Sequence, residues 1–145
     1  MTRTFRQTPA LIEGYAALFR VPDLVGDTVR AGAFVGLSAP GAPPVDMLLQ
    51  HRPGAPVGRW LRLQEDATGL WVRGLVTAPA ALARLGAGLD GLSIGFRARR
   101  WQPDRGGGRR LLSIDLVEVS LVSRPMQPLA RLKRLTPPDV PARAA

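Results

Sequence analysis

The chain has a single histidine, His51, closing the largely apolar run Val45-Asp46-Met47-Leu48-Leu49-Gln50. Further on, Ser93 stands between glycines in Gly91-Leu92-Ser93-Ile94-Gly95-Phe96, and two carboxylates interrupt the apolar run Asp115-Leu116-Val117-Glu118-Val119-Ser120-Leu121-Val122. A hydroxyl, an imidazole and a carboxylate are the parts of a hydrolytic triad, in which the base takes the nucleophile's proton and the acid orients the base. The absence of cysteine removes any thiol nucleophile. With one histidine, a third member must be something else, most simply a carboxylate.

Each residue has an ordinary reading beside the chemical one. In a strand starting at Leu92, Leu92, Ile94 and Phe96 share one face and Ser93, Gly95, Arg97 and Arg99 the other. Ser93 then projects away from the apolar face, between small neighbours that let a substrate backbone approach. From local sequence alone it also reads as a plain strand serine. The pattern Gly-Leu-Ser-Ile-Gly is not a nucleophile elbow, because that elbow requires a following helix and here a strand follows. His51 suits a general base, since an imidazole titrates near neutrality; it also reads as a surface histidine at a strand end. In the last long strand, Ile114, Leu116, Glu118, Ser120 and Val122 share a face, as do Asp115, Val117, Val119 and Leu121. Both faces are largely apolar, so each carboxylate is costly unless paired. An imidazole N–H or an arginine would serve, and periodicity does not choose between Glu118 and Asp115.

The elements that must position these residues are mostly strands. Ile12–Arg20, Val45–Gln50, Val57–Gln64, Leu70–Val76, Leu92–Trp101 and Arg110–Ser123 read as strands. A hairpin turn is expected at 65–69 and a flexible loop at 104–108. Pro79–Gly88 is the best helix, with proline in its first turn and glycine at its end. A short helical turn fits 31–37, a Pro/Gly/Ala linker 38–44, and a last turn or short helix 129–135. The domain is expected over 11–135, with a frayed leader at 1–10 and a disordered Pro/Arg/Ala tail at 136–145. The fold class is mainly β with one or two short helices (α+β), an antiparallel sheet or small barrel with tight connections.

The chain's 145 residues suffice for one domain with a real core. Without cysteine there is no disulfide, and with one histidine no His-rich metal centre; no spaced acidic cluster suggests a hard-cation site, so no cofactor is expected. No apolar stretch is long enough to span a membrane, and the basic N-terminus lacks an apolar signal core, which reads as a cytosolic protein. The net charge of +9 invites a nucleic-acid partner. Two features weigh against one: all but one of the 20 basic residues are arginine, as a GC-biased composition gives, and they are scattered. Trp60, Trp71 and Trp101 are expected in the core or on strand faces rather than as base-stacking platforms.

Taken in order, these segments resemble the prohead proteases of tailed bacteriophages. The likeness runs from about residue 12 to 132. It takes in Glu13-Gly14-Tyr15-Ala16, Gly26-Asp27, Ala31-Gly32-Ala33-Phe34, Leu48-Leu49-Gln50-His51, Pro56-Val57-Gly58 and Gly69-Leu70-Trp71-Val72-Arg73-Gly74. Its strongest block is Leu89-Asp90-Gly91-Leu92-Ser93-Ile94-Gly95-Phe96, followed by Glu118-Val119-Ser120-Leu121-Val122 and Pro125-Met126-Gln127-Pro128. The resemblance implies a serine endopeptidase with a compact β-barrel similar to herpesvirus capsid maturation proteases. Within it His51 is the general base, Ser93 the nucleophile and Glu118 the orienting acid. It further implies a major capsid protein as substrate, self-cleavage, a homodimer, and a place inside an immature capsid in a bacterial cytoplasm, of a phage or a gene transfer agent. The competing reading is a catalytically inactive basic β-barrel serving as an assembly factor or nucleic-acid binder.

Overall fold

The computed structural model describes residues 8–135. The leader up to residue 7 and the tail from 136 lie outside the described residues. Eight strands and one helix follow in order: β1 (Ala10–Leu18), β2 (Thr28–Val29), β3 (Asp46–Leu49), β4 (Gly58–Glu65), β5 (Gly69–Val76), α1 (Pro79–Gly86), β6 (Gly91–Pro103), β7 (Arg109–Val122) and β8 (Leu132–Arg134). A 3-10 turn at Val35–Ser38 precedes β3. Ala10, expected in the leader, is fully buried and pairs with Val76, so the ordered sheet begins there.

Local chemistry accounts for the main elements. β4 and β5 form a hairpin whose turn is closed by Asp66. Its Oδ1 accepts the N–H groups of Thr68 (2.8 Å) and Gly69 (3.1 Å), an Asx turn in which side chain replaces backbone. Tyr15 of β1 donates its hydroxyl to the other oxygen of the same carboxylate and ties the turn to the next strand. α1 starts at Pro79, whose missing N–H costs nothing in a first turn, and buries Ala81 and Leu82. The core gathers Ile12, Phe34, Met47, Leu70, Val72, Leu92, Leu111, Val119 and Leu121, all at most 2% exposed.

The strands make one sheet, ordered β2-β7-β3-β4-β5-β1-β8, with β6 on the other edge of β7. Two corrections to the sequence reading follow. The sheet is not purely antiparallel: β3 runs parallel to β7, with Asp46 opposite Glu118 and Leu49 opposite Leu121, and β2 runs parallel to the start of β7. The sheet is also not closed into a barrel. Between its two ends, β6 and β8, there is only an isolated bridge, Gly91 to Arg131. Beyond it, residues of β1, β2 and β6 line a cavity. Residues 132–134 form a strand, not the expected turn or helix. The chain is held extended here, with Ala130 O accepting from Leu92 N (2.9 Å) and Leu132 N donating to Asp90 O (2.7 Å). β8 then pairs with Ile12–Gly14 of β1.

Candidate active site

β7 is the strand on which the site is assembled. β6 pairs along one of its edges, setting Ser93 opposite Ser120 and Gly95 opposite Glu118. β3 pairs along the other edge, so that His51, just past its end, arrives beside the same two β7 residues. Residues directly opposite in an antiparallel pair share a face, as do residues two apart in one strand. Ser93, Glu118 and Ser120 therefore face the same way. The faces expected for β6 do not hold past Gly95: the register shifts between Gly95 and Phe96, so Phe96, opposite Leu116, joins the face of Ser93, while Arg97, opposite Asp115, lies on the other.

His51 Nδ1 lies 2.6 Å from Glu118 Oε2. An ionised carboxylate only accepts, so against it Nδ1 must be the donor; in a neutral ring that leaves the lone pair on Nε2. The imidazole is 44% exposed and the carboxylate 11%, so a half-open ring sits above a largely covered carboxylate. Glu118 Oε1 accepts the hydroxyl of Ser120 at 2.7 Å. Asp115, the alternative acid, points elsewhere and pairs with Arg99 at 2.6 Å on the exposed side of the hairpin. The structure thus brings His51 together with Glu118, not with Asp115.

The backbone that presents His51 is strained. Gln50 (φ +52°) and His51 (φ +59°) are consecutive non-glycine residues in the left-handed region, each costing about 1–3 kcal/mol. Contacts to the end of β7 hold them there. Gln50 N donates to Leu121 O (2.9 Å) and His51 N to Ser120 Oγ (3.1 Å). The Gln50 side chain donates to Ser123 Oγ (3.0 Å) and accepts from Ser123 N (3.2 Å).

Ser93 is 3% exposed, and its Oγ is buried with no hydrogen-bond partner. It makes no hydrogen bond to His51. It borders a cavity of ≈ 220 Å³ whose walls include Ala16, Val25, Val29, Ile94 and Phe96, with Asp23 and Asp27 also lining it. Arg109 forks onto Asp27 (Nη2–Oδ2 2.8 Å, Nε–Oδ1 3.2 Å) and holds that carboxyl below the usual range. The N–H of Ser123, in the loop after β7, donates to the Gln50 side-chain oxygen.

The sequence reading named His51, Ser93 and Glu118 as candidates and gave Ser120 and Gln50 no role. Ser120 carries a visible signal, a hydroxyl two residues from Glu118 in an otherwise apolar strand. Its partners cannot be read without the β3–β7 pairing. No group of three or more His, Cys, Asp or Glu able to hold a metal occurs among the described residues. Trp60 donates its indole N–H to Val119 O (3.3 Å), and Trp101, 49% exposed, lies under Arg109.

The fold is shared with solved herpesvirus proteins. It is similar to the Kaposi's sarcoma-associated herpesvirus protease solved with a hexapeptide phosphonate inhibitor, with a TM-score of 0.57 and 17% identity, covering 90% of this chain and 66% of that one. It is similar also to varicella-zoster virus protease, with a TM-score of 0.51 and 16% identity, covering 79% and 58%. At sequence level, residues 2–137 match the model of the caudovirus prohead serine proteases, and the chain belongs to that family. A 93-residue stretch is 37% identical to the prohead protease of Enterobacteria phage HK97, covering 59% of this chain and 41% of that protein. The chain therefore spans less than half the length of this relative.

Proposed function

We propose that the chain is a serine endopeptidase that cleaves the scaffolding segment of a major capsid protein, and its own chain, inside an immature phage capsid in the host cytoplasm. The observation that carries this reading is the 2.6 Å pairing of the only histidine with Glu118, beside an unpartnered serine hydroxyl on the adjoining register. Family membership supports the capsid setting. A homodimer is part of the proposal; a herpesvirus protease of this fold has been solved with a dimer disruptor.

Ser93 Oγ attacks the scissile carbonyl carbon while its proton passes to His51 Nε2. Glu118 holds the Nδ1 proton and stabilises the imidazolium. As the tetrahedral adduct collapses, Nε2 returns the proton to the leaving amine, leaving an acyl-enzyme on Ser93. Water, deprotonated by Nε2, then attacks the ester and frees Ser93. A His51–Ser93 hydrogen bond forms only when substrate fills the site, as is common for catalytic hydrogen bonds. The cavity beside Ser93 receives a substrate side chain.

The test is co-expression with the cognate major capsid protein, followed by intact mass measurement, for wild type, Ser93→Ala and His51→Ala. Truncation of the capsid protein by wild type alone is expected, with both variants slowed roughly 10⁴-fold or more. Cleavage by Ser93→Ala at the wild-type rate overturns the nucleophile assignment. An uncleaved capsid protein with every enzyme sample folded favours an inactive assembly factor.

A further inference from the structure

We propose that Ser120 is a positioning residue that locks the base and its acid into one geometry. The inference rests on the reading of His51 as general base, and nothing in the family assignment carries it. Two serines face each other across β6 and β7, yet their surroundings differ. Ser93 Oγ has no partner, whereas Ser120 is fully buried and engaged twice. Its oxygen accepts the His51 backbone N–H at 3.1 Å, and its one hydroxyl proton goes to Glu118 Oε1 at 2.7 Å. With its proton already given to a carboxylate, Ser120 is not a free nucleophile.

The two bonds act on different freedoms of the same pair. Donation to Oε1 fixes the rotation of the carboxylate, so that Oε2 is the oxygen left for His51 Nδ1. Acceptance from His51 N holds a residue whose φ of +59° is costly and which would otherwise relax toward an ordinary conformation. Removing the hydroxyl thus frees the acid to turn and the imidazole to leave. In water or against another partner, a neutral imidazole is no longer committed to the Nδ1–H form, because the tautomer is set by the bond the ring nitrogen makes.

The chain's single histidine makes this directly readable. This chain labelled with ¹⁵N-histidine gives one imidazole. Wild type is expected to show the Nδ1–H tautomer with a protected Nδ1 proton. Ser120→Ala is expected to show a mixture with Nε2–H and a rapidly exchanging proton. Its kcat on a peptide spanning the capsid cleavage site is expected to fall roughly 10- to 100-fold, the size of one lost charge-assisted hydrogen bond, with KM nearly unchanged. Ser120→Thr, which keeps the hydroxyl, should restore the wild-type tautomer. Ser120→Cys carries the same readouts if the alanine variant does not fold. An unchanged tautomer in a folded Ser120→Ala overturns the proposal, whatever the activity. If wild type cleaves nothing, the protease reading fails, and the tautomer comparison still decides the role of Ser120.

Discussion

Glu118 lies close over a neighbour that has no side chain. A Cβ added at Gly95 would fall 2.7 Å from Glu118 Cδ and nearer still to Oε2. Either the carboxylate or the β6 backbone would have to move. Gly95→Ala is therefore expected to destabilise the fold by about 1–3 kcal/mol and to lose most cleavage, measured by urea unfolding beside the capsid assay. Glu118→Gln keeps the volume but changes which atoms donate and accept, and should slow cleavage by roughly 10³- to 10⁴-fold. Asp115→Asn should cost at most about twofold, because its partner Arg99 is 66% exposed and surface pairs contribute little. Comparable losses in both would mean that His51 has no fixed acid. These residues were legible early: a lone histidine, a serine among glycines and carboxylates in an apolar run stand out by type. The choice between Asp115 and Glu118 was not legible, because both faces of β7 carry apolar residues and only the approach of His51 separates them.

Among the elements, the strands next to clear turn residues were readable. The β4–β5 hairpin and the β6–β7 hairpin each have a turn whose Asp and Gly residues announce it, and α1 has Pro79 at its start. β2 and β8, of two and three residues, carry too little pattern to be seen and exist because a neighbour offers an edge. The β8 contact is tight. At Gly14 of β1, a Cβ would lie inside contact distance of the Arg131 carbonyl oxygen, so glycine is what permits the approach. Gly14→Ala is expected to push β8 off β1. Faster amide exchange confined to residues 132–134, with a stability loss of about 1–3 kcal/mol, is the outcome to look for. Unchanged exchange there would show that β8 is held by its contacts to Asp90 and not by β1.

For the molecule as a whole, Asp27 is the ion pair with the greatest reach, joining the loop before β2 to the start of β7 across 82 residues. Its carboxyl is 7% exposed, and Arg109 holds its pKa below the ordinary 3.8. A carboxylate lowered on folding stabilises the native state fully above the unfolded value and loses that contribution as pH falls through the lower folded value. The urea midpoint of wild type should therefore be level above about pH 5 and fall below pH 4. Asp27→Asn should start lower and fall less steeply; parallel curves for the two would remove Asp27 from the account. No helix among the described residues is long and apolar enough to cross a membrane. What stayed hidden at this scale was the parallel joining of β3 to β7, since strand pairing over such distances leaves no local trace. That joining has a consequence for timing. His51 and Ser93 are synthesised well before Glu118 and Ser120, and the two halves meet only when β7 inserts between β3 and β6. A nascent chain that has produced His51 and Ser93 still lacks the carboxylate of Glu118 and the hydroxyl of Ser120 that hold the imidazole. The order of synthesis is thus a built-in delay: whatever cutting this site performs begins only after the ribosome has delivered the strand that holds it together.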